Sequence, residues 1–201
     1  MVFIQSLQAW WQDQSLLEVA GVISGLLCVY LAAKNIIWNW PLAIISVAIY
    51  IFIFYDSRLF ADMGLQGYFL AVNIYGWYFW SKKPVSAPKT PVTLIKRNEV
   101  LISVLAIAIF TVLLGSILHN NTVASYPYLD SFCTACSIVA QFFMARKVLQ
   151  NWLLWVFVDA IYVGIYIFKD LHLTAVMYAI YIVIAWIGYV DWKKEYSKQI
   201  S

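Results

Sequence analysis

Residues 150–168 are apolar enough to cross a membrane, yet a carboxylate, Asp159, stands near their middle. A charged carboxylate at that depth in a bilayer costs roughly 3 kcal/mol on insertion scales. Asn151, Trp155, Asp159 and Tyr162 are spaced i, i+4, i+8 and i+11, so a helix places them in one stripe. An amide, an acid and two aromatic rings on one face can bind a flat polar solute. The acid would be the counter-charge to a cation, or else would make a buried structural hydrogen bond to Tyr50 or Tyr162.

Polar side chains recur at helical spacing in other apolar segments. Each stripe alone could simply hold helices together through hydrogen bonds. Taken together, the amides suit hydroxyl or carboxamide groups and the aromatic faces suit a ring, preferably a cationic one. No Lys, Arg or His lies inside an apolar segment, away from its first and last residues, so a phosphate or carboxylate has no obvious partner. Besides the first stripe, the residues predicted to bind the solute are Gln66, Asn73, Trp77, Gln141 and Tyr178.

Composition places these segments in an all-α membrane protein. Of 201 residues, 64% are hydrophobic and only 11% are charged, against about 25% charged in a soluble domain. A membrane-spanning helix needs about 20 mostly apolar residues. This length predicts seven transmembrane helices over 17–34, 38–55, 60–80, 98–118, 129–145, 151–168 and 172–191.

Basic residues predict how these helices are oriented. With the N-terminus outside, the inner segments hold all Lys and Arg residues except Arg58 and Lys169, as the positive-inside rule requires. The C-terminus is then cytoplasmic, residues 81–97 form a cytoplasmic linker and 193–201 a cytoplasmic tail. The N-terminal segment lacks the features of a cleavable signal peptide. Six tryptophans lie near helix ends, and most of them are predicted to be interfacial anchors rather than site residues: Trp10, Trp11, Trp38, Trp40, Trp80 and Trp192.

A shift of 112 residues aligns two halves of the chain without a gap. Asn39-Trp40 falls on Asn151-Trp152, Gly76 on Gly188 and Trp80 on Trp192, whereas Asp159 falls on Val47. The units are an N-terminal repeat, 1–80, and a C-terminal repeat, 119–192. The single helix 98–118 joins them, which predicts parallel 3+1+3 repeats of the SWEET-like type. Such repeats indicate transport, with the solute bound where the units meet.

Other chemistries have weaker support. The spacing of Cys133 and Cys136 suits a metal or a redox pair, but no further ligand is near in an apolar segment. No P-loop is present, and no apolar segment holds the Ser–His pair of a protease. We therefore predict a protein that is not an enzyme and that uses no cofactor and no metal. A purely structural membrane protein is the alternative to a transporter.

Three stretches carry a resemblance to a known family. "WNWPLAIISV", "NIYGWYFW" and "YPYLDSFCTACSIVAQFFMARKVLQNWLLW" resemble the PnuC family of bacterial vitamin transporters, and the similarity extends over about residues 17–192. The resemblance implies uptake of nicotinamide riboside by facilitated diffusion across the bacterial inner membrane, with a cytoplasmic kinase trapping the product. It also implies that Asn151, Trp152 and Trp155 bind the vitamin.

The resemblance leaves the vitamin open. Relatives of the family take up thiamine (PnuT) or riboflavin. Nicotinamide riboside and thiamine are both cationic, so Asp159 suits either one, while neutral riboflavin is the weaker choice. We further expect a homo-oligomer, with a trimer as the candidate, and no nucleic-acid partner.

Overall fold

A computed structural model gives the structure of residues 16–56, 58, 60–82, 90–121, 126–169 and 172–200. These residues form seven helices, whose bounds fall within three residues of the predicted segments except at the end of α7. That helix continues to Ile200, through the predicted tail. Five of the helices, α2 and α4–α7, are long and apolar enough to cross a membrane. The seven are α1 (Leu16–Ala33), α2 (Asn39–Asp56), α3 (Phe60–Ser81), α4 (Arg97–Asn121), α5 (Pro127–Ala145), α6 (Asn151–Phe168) and α7 (His172–Ile200).

Six of the helices form a closed ring. Contacts run from α1 to α2 and α3, from α3 to α5, through α6 to α7, and from α7 back to α1. Helix α4 lies outside the ring and packs against α5. The two approach closely at Gly115, because a Cβ there would overlap the ring of Tyr128. The ring therefore unites α1–α3 with α5–α7, and α4 serves as the connection.

Four tryptophans pack together at one end of the ring. Trp40 meets Trp80 edge-on with ring centroids 5.2 Å apart, and Trp152 meets Trp192 edge-on at 5.3 Å. Trp80 and Trp192 are 5.7 Å apart and join the two pairs. All four side chains are buried. The prediction that Trp40, Trp80 and Trp192 are interfacial anchors is therefore wrong. Trp38 is exposed, as an anchor would be, while Trp10 and Trp11 lie outside the described residues.

Two glycines make room for this tryptophan cluster. A Cβ on Gly76 would lie 2.5 Å from the ring of Trp40, and one on Gly188 would lie 2.6 Å from the ring of Trp152. A Cβ at either position would overlap the indole, so glycine is what allows each indole to pack inside the ring. The Trp80 indole N–H donates to the Ala145 carbonyl at the end of α5 (3.1 Å). The Trp192 indole N–H donates in the same way to the Ala32 carbonyl near the end of α1 (3.2 Å).

Residues 90–96 of the predicted linker are tied to the α5–α6 turn. The Thr93 N–H donates to the Lys147 carbonyl (2.9 Å), and the Leu149 N–H donates to the Thr93 carbonyl (2.8 Å). The buried Lys147 ammonium donates to the Thr90 carbonyl (2.8 Å) and lies 4.5 Å from the centre of the Trp80 ring. We call residues 90–96 the strap. The strap joins the tryptophan cluster to the turn that precedes α6.

The turns after α1 and α5 have the same backbone shape. Asn35 and Lys147, which the 112-residue shift aligns, both adopt left-handed conformations with φ of 59° and 54°. The residue before each forms an ion pair. The Lys34 ammonium lies 2.8 Å from the Asp191 carboxylate of α7, and the Arg146 guanidinium lies 3.1 Å from the Glu99 carboxylate of α4. The turn after α1 is thus joined to α7, whereas the aligned turn after α5 is joined to α4.

Candidate functional site

A cavity of about 430 Å³ lies inside the ring. All six ring helices contribute to its wall, and Trp40 and Trp152 of the tryptophan cluster line it. The volume is within the range of small-molecule sites, about 300–1,000 Å³. The wall is mostly apolar with a few amides, hydroxyls and one carboxylate, which is the usual composition of a site for an aromatic solute.

The lining residues fall into pairs related by the 112-residue shift. Of the 27 lining residues, 24 form twelve such pairs, and only two pairs keep the same residue, Trp40/Trp152 and Tyr50/Tyr162. The cavity therefore lies where equivalent faces of α1–α3 and α5–α7 meet. The ten pairs that differ are Gly25/Ser137, Val29/Gln141, Ala32/Met144, Ala43/Trp155, Ser46/Val158, Val47/Asp159, Leu65/Met177, Gln66/Tyr178, Phe69/Tyr181 and Asn73/Ala185.

The structure brings eight of the ten predicted residues to this cavity. They come from α3, α5, α6 and α7, which the stripes in the sequence had suggested would converge. The helical spacing therefore placed most of the polar side chains on the faces that line this cavity. The eight are Gln66, Asn73, Gln141, Trp152, Trp155, Asp159, Tyr162 and Tyr178.

Asn151 and Trp77 are not among the lining residues. Asn151 is fully buried, and its amide donates to the Val148 carbonyl (2.7 Å). As the first residue of α6 it bonds back to the turn that precedes the helix. Trp77 is 43% exposed and lies on the outer side of α3. Asn39, which aligns with Asn151, does line the cavity.

An amide pair forms one part of the wall. The Gln141 Nε2 of α5 donates to the Asn73 Oδ1 of α3 across 2.7 Å. Nearby, the Tyr68 hydroxyl donates to the Ile138 carbonyl (2.9 Å), which also joins α3 to α5. The aligned residues on the opposite wall are Val29 and Ala185, which have no polar side-chain groups. The amide pair therefore gives the cavity one polar side.

Aromatic rings surround the acid on α6. Trp155 and Tyr162 lie one turn before and one turn after Asp159, and all three line the cavity. The Tyr162 ring centroid is 4.9 Å from that of Tyr178, which is in turn 6.1 Å from that of Tyr181. In the described part of the chain the buried indole N–H of Trp155 has no hydrogen-bond partner. This side of the cavity is aromatic and acidic.

The stripes of polar residues in the sequence did not predict that α1 lines the cavity. Gly25, Cys28, Val29 and Ala32 line the cavity at spacings of three, four and seven residues along one face. Their small or apolar side chains carry no polar signal. The repeat could have found three of them, because Gly25, Val29 and Ala32 align with the lining residues Ser137, Gln141 and Met144.

Cys133 and Cys136 are buried free thiols that do not line the cavity. They pack with Val158 of α6 in a small apolar cluster. Across the described ranges, no three His, Cys, Asp or Glu side chains are grouped as a metal site would need. These cysteines have a packing role between α5 and α6.

Comparison with known proteins gives one consistent family. The nicotinamide mononucleotide transporter family matches residues 15–194. The nicotinamide riboside transporter PnuC of Escherichia coli K12 is 31% identical over 206 aligned positions, which cover 90% of this chain and 86% of that protein. The riboflavin/roseoflavin transporter RibM of Streptomyces davaonensis is 27% identical, over 87% of this chain and 83% of that protein.

A solved structure agrees in fold. The crystal structure of the vitamin B3 transporter PnuC superposes with a TM-score of 0.72 at 25% sequence identity. The match covers 97% of this chain and 88% of that one. The ring of helices described above is therefore the fold of a known membrane transporter.

Proposed function

The chain belongs to the nicotinamide mononucleotide transporter family, and on that premise we propose that it carries nicotinamide riboside across a bacterial inner membrane. The cavity at the meeting of the two halves is the proposed binding site. Its volume, amide pair and aromatic side suit a nucleoside with a carboxamide-bearing ring.

The charge of the cavity favours nicotinamide riboside over its phosphorylated form, nicotinamide mononucleotide. Among the described lining residues there is one carboxylate, Asp159, and no Lys, Arg or His. A buried phosphate needs cationic or multiple N–H donors, and beside a carboxylate it would be repelled. The nucleoside differs from the mononucleotide only by that phosphate. We therefore propose that the unphosphorylated form is the substrate.

The single carboxylate in the cavity also ranks the other vitamins as candidate substrates. Thiamine is also cationic and aromatic, so it is the alternative substrate. Riboflavin is neutral and gains nothing from the acid, although RibM is a relative whose name refers to it. The non-transport alternative, a structural membrane protein, gives no reason for a cavity with amides and a carboxylate at the junction of the two halves.

The proposed mechanism is alternating access. The aligned contacts of the two halves support parallel 3+1+3 repeats of the SWEET-like type, which would rock against each other about the cavity. The distribution of Lys and Arg supports an outside N-terminus and a cytoplasmic C-terminus. Transport would be facilitated diffusion with trapping by a cytoplasmic kinase. The expected homo-oligomer stays a prediction.

The proposal can be tested with four ligands and one purified protein. Calorimetry against nicotinamide riboside, nicotinamide mononucleotide, thiamine and riboflavin should give the tightest binding for the riboside and none for the mononucleotide. Mononucleotide binding equal to or tighter than that of the riboside would contradict the choice of substrate. Uptake of labelled riboside into proteoliposomes is the second measurement, and a lack of flux for every ligand would favour the structural alternative.

A further inference from the structure

We propose that Asp159 selects for a positively charged aromatic ring over a neutral ring of the same shape. The ligand class is a cationic nitrogen heterocycle, such as the pyridinium of nicotinamide riboside. The inference rests on the proposed function. It names the side chain that would make the transporter selective for a charged ring.

The first observation is an acid that has no hydrogen-bond or ion-pair partner in the described part of the chain. Asp159 is 95% buried, with 5% of its surface exposed, and it lines the cavity. Among the hydrogen bonds and ion pairs of the described residues, none involves its carboxylate. The structural hydrogen bond to Tyr50 or Tyr162 considered from the sequence is therefore not formed here. A buried carboxylate is destabilised unless a cation or donors surround it, and a bound cation would supply that partner.

The second observation is the arrangement of rings around the acid. Trp155 precedes Asp159 by four residues and Tyr162 follows it by three, so both border it on the same helical face. The rings of Tyr162 and Tyr178, 4.9 Å apart, continue this aromatic wall. Faces of Trp and Tyr attract cations, and the attraction grows when water is excluded. A flat cation beside Asp159 would thus meet ring faces as well as the counter-charge.

The opposite wall provides an internal comparison. The residues that align with Trp155 and Asp159 are Ala43 and Val47, and both line the same cavity. At these two positions that wall has neither an indole nor an acid, and the rings it does carry, Trp40 and Tyr50, are matched on α6 by Trp152 and Tyr162. A cation therefore has one favourable side, on α6, and a substrate with one charged end would bind in one orientation.

The test compares two forms of one ligand. Nicotinamide riboside carries a pyridinium, and its 1,4-dihydro form has the same ribose and carboxamide but no charge. Calorimetry on the purified full chain should show wild type binding the cationic form roughly tenfold more tightly than the neutral form, the scale of one close charge pair. Asp159→Asn should remove most of that ratio by weakening the cationic ligand alone. Unchanged binding of the neutral form also shows that the variant is folded.

The matched control is Asp56→Asn. Asp56 is an exposed acid at the end of α2 that does not line the cavity, so the ratio should stay at the wild-type value. A wild-type protein that binds both forms equally, or an Asp159→Asn variant that keeps the ratio, would overturn the inference and leave the transporter proposal intact. Binding of neither form would overturn the proposed function, and the inference with it.

Discussion

In α1–α3, Trp40 packs over Gly76 and meets Trp80 edge-on; in α5–α7, Trp152 does the same with Gly188 and Trp192. The scaffold contacts of the two halves are thus the same in residue type and in geometry. The cavity walls are not, since ten of the twelve aligned lining pairs differ. The comparison separates the tryptophan and glycine contacts that build the ring from the other positions that line the cavity.

The polar and aromatic groups that differ are unevenly divided between the two halves. The second half supplies the indole of Trp155, the carboxylate of Asp159 and the amide of Gln141, while the aligned residues of the first half are Ala43, Val47 and Val29. The first half supplies Asn73 and Gln66. An asymmetric solute needs asymmetric walls, and a symmetric scaffold can still move as two equal units. Four predictions test this division.

The largest effect should come from removing the stacking face that only one half has. Trp155→Ala should weaken binding of nicotinamide riboside roughly 10- to 100-fold, because stacking of a base on an aromatic ring is worth about 1–3 kcal/mol. Calorimetry measures it. Trp38→Ala, a change of an exposed tryptophan outside the cavity, is the control and should bind as wild type does. Equal losses in both variants would remove Trp155 from the site.

The second prediction concerns the shared scaffold. Gly76→Ala and Gly188→Ala should each lower the free energy of unfolding by about 1–3 kcal/mol, because the new Cβ overlaps an indole. Thermal unfolding in detergent measures both. The two losses should be similar, since the contacts are equivalent.

Two other helical glycines control for the substitution itself. At Gly67 and Gly164 an added Cβ would meet no atom within 4 Å. Alanine there should leave stability unchanged or raise it by about 0.5–1 kcal/mol. A large loss at Gly76 with none at Gly188 would contradict the equivalence of the two halves.

The third prediction concerns the strap, which bonds to the turn of the second half. Lys147→Met removes the bond to the Thr90 carbonyl and the contact with the Trp80 ring. Amide exchange at Leu149, which donates to Thr93, should speed up roughly tenfold, as expected for a loss of about 1.5 kcal/mol. The exposed Lys193→Met is the control. Unchanged exchange at Leu149 would show that Lys147 does not hold the strap.

The smallest effect is a difference in pH dependence between variants of the aligned residues Lys34 and Arg146. The Asp191 carboxylate accepts a hydrogen bond from Lys34 and raises the pKa of that lysine above its ordinary value. A raised pKa stabilises the fold below the lysine's unfolded-state pKa, and this contribution is lost as the pH rises through the folded-state pKa. The small loss in melting temperature from Lys34→Gln should therefore vanish at strongly alkaline pH.

Arg146→Gln serves as the comparison, because an arginine side chain stays charged over this range. Its loss in melting temperature, from the ion pair with Glu99, should persist where that of Lys34→Gln disappears. Identical pH dependence in the two variants would contradict this account.

Several features followed from the sequence alone. Apolar segments broken by Pro, Asn and charged residues predicted all seven helices, because a helix of membrane length leaves little freedom in where it can end. The repeat paired the residues that build the tryptophan cluster. Helical spacing put Asp159, Trp155 and Tyr162 on one face, and the cavity is on that face.

Tertiary structure decided which direction each face points. Spacing fixes the angle of a side chain on its own helix, not the neighbour that it meets, so Trp77 points outward and Asn151 faces a turn. The burial of Trp80 and Trp192 depends on how helices pack. Each indole meets the tryptophan of the preceding helix edge-on, and the two indoles meet each other across helices that are distant in sequence. The wall from α1 has no polar residue to reveal it. That Asp159 has no hydrogen-bond or ion-pair partner among the described residues could be known only once the helices around it were in place.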